Sequence, residues 1–78
     1  MPRYFFDVAD SAKVPDEVGT ELPGLQAARI EAARLAGRLL ADQPEMFWSG
    51  EEWQVAVRDE TGLVLFTVNF TATDAPSR

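Results

Sequence analysis

Only one stretch of this chain carries a helical period, and that limits the folds open to it. Between Leu22 and Asp42, the residues Leu25, Ala28, Ala32, Leu35, Ala36, Leu39 and Leu40 recur at helical spacing and form one apolar stripe. Arg34 and Arg38 fall on the opposite side, with Glu31 placed to pair with Arg34 one turn on. Pro23 suits a first helical position, where its missing N–H had no partner to lose. Thr20 or Leu22 is the expected N-cap, with the Thr20 hydroxyl the better acceptor, and Glu21 would favour the positive end of the helix dipole. Pro44 stops the run at about Gln43, which leaves a helix of about 30 Å. A lone amphipathic helix buries its stripe most economically against a sheet.

The flanking segments supply that sheet. Arg3 to Val8 reads as an aromatic-rich strand, with Tyr4, Phe6 and Val8 on one face and Phe5 and Asp7 on the other. Because both faces carry apolar weight, an inner strand is expected. Asp10-Ser11 is turn chemistry, and Ala12-Lys13-Val14 would return as a short strand ended by Pro15. Gln43 to Glu52 reads as a linker holding Phe47 and Trp48, with a turn at Gly50. Trp53, Val55 and Val57 then alternate with Gln54, Ala56 and Arg58. The turn Asp59-Glu60-Thr61-Gly62 follows, with Gly62 suited to the left-handed position of a type I turn plus bulge. From Leu63 to Thr71, Val64, Phe66, Val68 and Phe70 alternate with Leu65, Thr67 and Asn69. The pattern predicts a β-hairpin. The whole predicts an α+β, two-layer β(β)αββ domain over residues 1–73 with a frayed tail at 74–78, one helix packed on a small antiparallel sheet. The helix stripe is expected to cover Tyr4, Phe6, Val8, Trp53, Val55, Val57, Val64, Phe66, Val68 and Phe70, with strand order left open.

Composition removes whole classes of chemistry. The 78 residues contain no Cys and no His, so disulfides, thiolate or imidazole metal sites and Cys–His or Ser–His catalytic pairs are excluded. A core this small is ordinarily reinforced by staples or by self-association, and only self-association or unusually good packing remains. Thirteen acidic against seven basic residues give a net charge of −6, which opposes nucleic-acid backbones and anionic membrane surfaces. No apolar run is long enough for a membrane span, and Met1 to Phe6 reads as a strand rather than a signal peptide. Absence of Cys fits a cytoplasmic setting.

Asp7, Asp10, Asp16, Glu17 and Glu21 form an acidic set, but their spacing does not match a calcium loop and turn chemistry accounts for them. Glu51-Glu52 and Asp59-Glu60 are adjacent pairs, and neighbouring strand positions point to opposite faces, so neither makes a general acid/base dyad. Arg29, Arg34 and Arg38 fall short of a basic patch. No catalytic, cofactor-binding or metal-binding residue is therefore expected, and no cofactor. The apolar residues left over are more informative. Phe47 and Trp48 lie in the linker, Ile30 on the polar side of the helix, and Phe5 and Leu65 on the sheet face turned from it. These five either form a connected patch, which would mark an interface, or are scattered and need no explanation.

The segments Met1-Pro2-Arg3-Tyr4-Phe5-Phe6-Asp7, Gly19-Thr20-Glu21-Leu22-Pro23, Ala27-Ala28-Arg29 with Ala32, and Val57-Arg58-Asp59-Glu60-Thr61-Gly62 span nearly the whole chain. Together they resemble a family of small bacterial proteins of unknown function, common in rhizobia and related alphaproteobacteria, that open on an M-P-R-Y-F-F-D strand. In that pattern Asp7 is followed by an Ile/Val-His-Asp-Gly-like turn, whereas this chain has Val8-Ala9-Asp10-Ser11, so any role resting on that His has no residue here. The resemblance implies a fold and a bacterial, cytoplasmic setting, and carries over no activity. The expected function is a small non-enzymatic interaction module, homodimeric or bound to another protein. The alternative is an adaptor that takes a peptide at the sheet edge; a small enzyme or metal-binding protein ranks below both.

Overall fold

The computed structural model describes residues 1–9, 13–49 and 52–76. Its elements run β1 (Arg3–Ala9), β2 (Lys13–Val14), β3 (Thr20–Glu21), α1 (Leu25–Asp42), α2 (Pro44–Phe47), β4 (Trp53–Arg58) and β5 (Val64–Phe70). The expected turns at Asp10-Ser11 and Gly50, together with Ala12, Glu51, Ser77 and Arg78, lie outside the described residues. The fold is α+β, an open antiparallel sheet in the order β2-β1-β4-β5, with β3 also on β1 and α1 across one face.

β1 is an inner strand. On one side it pairs with β4, Phe6 opposite Val57 and Val8 opposite Val55. On the other it is met twice, by β2 at Val8 and Ala9 and by β3 at Arg3 and Tyr4. The alternation read from the sequence holds through this centre: Tyr4, Phe6, Trp53, Val55 and Val57 are all buried. From the helix the deepest contacts are Ala28, Ala32 and Ala36, one per turn, with Leu35 and Leu39 half-buried beside them. Side chains this short let α1 lie close on the sheet. Glu31 on the outer flank pairs with Arg34 at 3.9 Å and Arg38 at 3.7 Å.

The structure corrects four expectations. The N-cap is Gly24, with no side-chain cap, rather than Thr20 or Leu22, so Pro23 precedes the helix instead of opening it. Thr20 and Glu21 are drawn into β3 instead, and the Leu22 N–H donates to the Pro2 carbonyl at 3.0 Å. Ladder pairing satisfies backbone groups that a cap would have left to side chains. Glu21 consequently faces Arg3 at 3.0 Å rather than the helix dipole. The linker is partly helical: Pro44 ends α1 and also begins α2, since a proline that cannot continue a helix is well suited to starting one.

The fourth correction concerns β5. The turn forms as expected, with Gly62 at φ 91° and its N–H on the Asp59 carbonyl at 3.1 Å. Beyond it the ladder slips, because Arg58 lies opposite Val64 but Val57 lies opposite Phe66, and Leu65 is the extra residue of a bulge. Strict alternation therefore fails at this end. Val64, expected in the core, is 53% exposed, and Leu65, expected on the far face, packs against the core cluster.

Candidate functional site

The two edges of the sheet are built differently. Along β1, Asp16 fills the gap between β2 and β3. Its carboxylate accepts the Phe6 N–H at 3.2 Å, a strand donor that neither short strand reaches, and the N–H groups of Val18 and Gly19 at 3.0 Å each. Its own N–H donates to the Asp7 carboxylate at 2.8 Å. Arg58 closes the set from β4: Nε donates to Asp7 at 2.6 Å, and Nη2 donates to Asp7 at 3.2 Å and to the Asp16 carbonyl at 2.8 Å. The same guanidinium lies over the Phe5 ring, 4.7 Å from its centroid. Arg3 adds donors to the carbonyls of Val18 and Gly19 at 3.0 and 3.3 Å.

Electrostatics follow from this geometry. For Asp7, burial pushes the pKa up, but the Arg58 hydrogen bond, the Asp16 N–H and the Arg58 charge outweigh it and hold the carboxyl below its ordinary value. For Asp16, burial again raises, and the N–H groups of Gly19, Val18 and Phe6 with the Arg58 charge win. These carboxylates are engaged by the protein itself. A groove of about 520 Å³ lies between α1 and this loop, floored by Phe6, Val8 and Leu35 and bordered by Asp16, Glu31 and Arg38. The Asp16 oxygens there are taken by backbone donors, and Glu31 is paired with arginines. Among the described residues no group of three or more carboxylates is placed to hold a metal ion.

The β5 edge is the opposite case. β5 is seven residues long and pairs with β4 on one side; among the described residues no strand pairs with its other side. Val64-Leu65-Phe66-Thr67-Val68-Asn69-Phe70 contains no charged residue and no proline. Protein sheets ordinarily guard an edge of this length with charges, prolines or covering loops. Among the described residues this one has only the bulge at its first residues.

The residues singled out from the sequence fall in different places. Phe5 is half-buried under Arg58 on the face turned from α1, beside Asp7. Gln54, Asn69 and Thr67 continue that face as a polar ladder, with Gln54 Nε2 donating to Asn69 at 2.8 Å and Asn69 Nδ2 to Thr67 at 3.2 Å. Ile30 stands on the helix, 46% exposed. Phe47 is half-buried from α2 against the end of the sheet, its ring 5.5 Å from Trp53 and 6.1 Å from Phe70. Trp48 lies on the outer side of this cluster, 6.1 Å from Phe47, and is 59% exposed, with Met46 also exposed. The structure thus gathers Phe47 and Trp48 at the Phe70 end of β5 and keeps Phe5, Ile30 and Leu65 apart from them. Sequence reasoning missed the Asp7–Asp16–Arg58 set. The only signal was an Asp followed by Gly19 three residues on, which does not announce a partner forty residues away.

Known proteins add one relationship. No curated protein and no solved structure matches the chain. A family model described as a domain of unknown function, DUF6894, matches residues 3–71, which takes in every strand and both helices. The chain belongs to the DUF6894 family.

Proposed function

We propose that this chain is a small, non-enzymatic protein–protein interaction module that works by strand addition at β5, in a bacterial cytoplasmic setting. The observation that carries the reading is the bare, uncharged, proline-free edge of β5, set against a β1 edge closed by β2, β3 and Asp16. Strand addition supplies affinity through main-chain hydrogen bonds and specificity through alternate side chains, and both need an unguarded edge. The engaged state of Asp7 and Asp16 supports the non-enzymatic part, because both carboxylates are held by donors of the chain itself.

A capped peptide of the Val64–Phe70 sequence, with a lysine at each end for solubility, is the probe. Fluorescence anisotropy of the labelled peptide should show saturable binding, with new hydrogen-exchange protection confined to β5 amides. Absence of binding together with unprotected β5 amides at every protein concentration would overturn the reading.

A further inference from the structure

The strand that β5 takes up has a definite origin: we infer that it is β5 of a second copy, paired antiparallel about Thr67 to give one continuous sheet. The inference rests on the strand-addition reading and names its partner.

Three features of β5 make it complementary to itself. The first is charge. Two chains of net charge −6 repel, and an isologous contact must be made where that charge is absent. β5 is such a stretch, seven residues without a charge. The second is register. Antiparallel pairing of β5 with its own copy about Thr67 sets Thr67 opposite Thr67 and Phe66 opposite Val68, the regular ladder ending where the bulge at Leu65 reverses the faces. Phe66 with Val68 is an aromatic–β-branched pair on the helix side of the sheet, a favourable cross-strand combination made twice by the two-fold.

The third feature lies at the strand ends. Leu63 and Val64 are 61% and 53% exposed at one end, and Trp48 and Met46 are 59% and 47% exposed beside the Phe47–Phe70 contact at the other. Antiparallel pairing brings unlike ends together. The Leu63–Val64 end of each copy then lies alongside the Phe70 end of the other, where Trp48 and Met46 are exposed, which enlarges a contact that an edge ladder alone would leave thin. A two-fold perpendicular to the sheet keeps both α1 helices on one face.

The test is charge complementation at the axis. Light scattering with size-exclusion chromatography, from micromolar to millimolar protein, is expected to show a dimer for the parent chain. Thr67→Glu and Thr67→Lys should each weaken that dimer by about tenfold or more, since like charges then stand directly opposite. An equimolar mixture of the two should restore it as a heterodimer, resolved by native mass spectrometry. Thr67 is exposed, so both variants are expected to fold. If either does not, Trp48→Ser provides the second arm, with weakened dimerisation expected. A parent that stays monomeric while the β5 peptide still binds would overturn self-pairing and leave strand addition standing. A dimer untouched by both Thr67 variants, or a mixture that fails to restore it, would also overturn the inference. A monomer that binds no peptide would remove both readings.

Discussion

Asp16 hydrogen-bonds the Phe6 amide across the edge of β1, so a loop carboxylate occupies a place where a strand carbonyl would otherwise sit. β2 and β3 each supply two residues to this edge and leave its middle to Asp16. The consequence is an edge that offers no template to another chain, in contrast to β5.

Asp16→Asn keeps the shape and one acceptor but turns an NH₂ group toward a backbone donor. Stability should fall by about 1.5–3 kcal/mol, the range for hydrogen bonds to a charged group, as read by urea denaturation. Hydrogen exchange at the Phe6 amide should rise more than at Val55 or Val57. An unchanged Phe6 rate would show that the carboxylate does not protect this edge.

The same set makes stability acid-sensitive. Asp7 and Asp16 both titrate below their unfolded values, so their contribution is complete above the unfolded pKa of about 3.9 and is lost as pH falls through the folded values. Denaturation midpoints should therefore hold near neutrality and drop below about pH 4. Arg58→Met, which keeps the stem over Phe5 and removes the charge, should lower stability at neutral pH and flatten the acid limb. Midpoints that fall as steeply in this variant as in the parent would assign the acid limb to other groups.

Gly19 and Gly62 both hold positive φ, at 77° and 91°, yet differ in surroundings. A Cβ on Gly19 would stand 2.8 Å from Arg3 Cγ and 2.9 Å from Phe5 Cε2, whereas one on Gly62 meets nothing within 4 Å. Gly62→Ala should cost about 1 kcal/mol of backbone strain. Gly19→Ala should cost more, about 2–3 kcal/mol, because Arg3 and Phe5 must also move. Paired thermal denaturation curves compare them; equal losses would show that the loop yields freely.

Ala32 and Ala33 are neighbours in α1 with opposite fates, the first fully buried and the second exposed. Ala32→Leu should destabilise by about 1–3 kcal/mol through overpacking against the sheet. Ala33→Leu should change stability by no more than about 0.5 kcal/mol. Chemical denaturation of the two variants would detect a helix seated differently, because the losses would then be similar.

The core and the secondary structure were largely legible because they are written in short periods. The alanine–leucine stripe of α1, the alternation through Trp53, Val55 and Val57, and the Asp59–Gly62 turn are local patterns, and each element formed where its pattern lies. The same local logic misplaced Val64 and Leu65, because a single bulged residue reverses the faces of a strand without changing its composition. It also assigned Thr20 and Glu21 to a helix start, since nothing within the segment shows that β1 is waiting to pair with it.

By itself, the sequence determined that this chain folds as one amphipathic helix on an antiparallel sheet, without the thiol or imidazole groups of a reactive site. Those properties depend on residue type and spacing within a few turns of chain. Tertiary structure alone decided which strands are neighbours, that Arg58 reaches Asp7 and Asp16 from β4, and that β1 is closed while, among the described residues, β5 pairs on one side only. These depend on contacts between segments up to 51 residues apart, which satisfy backbone and charge only once the sheet has assembled.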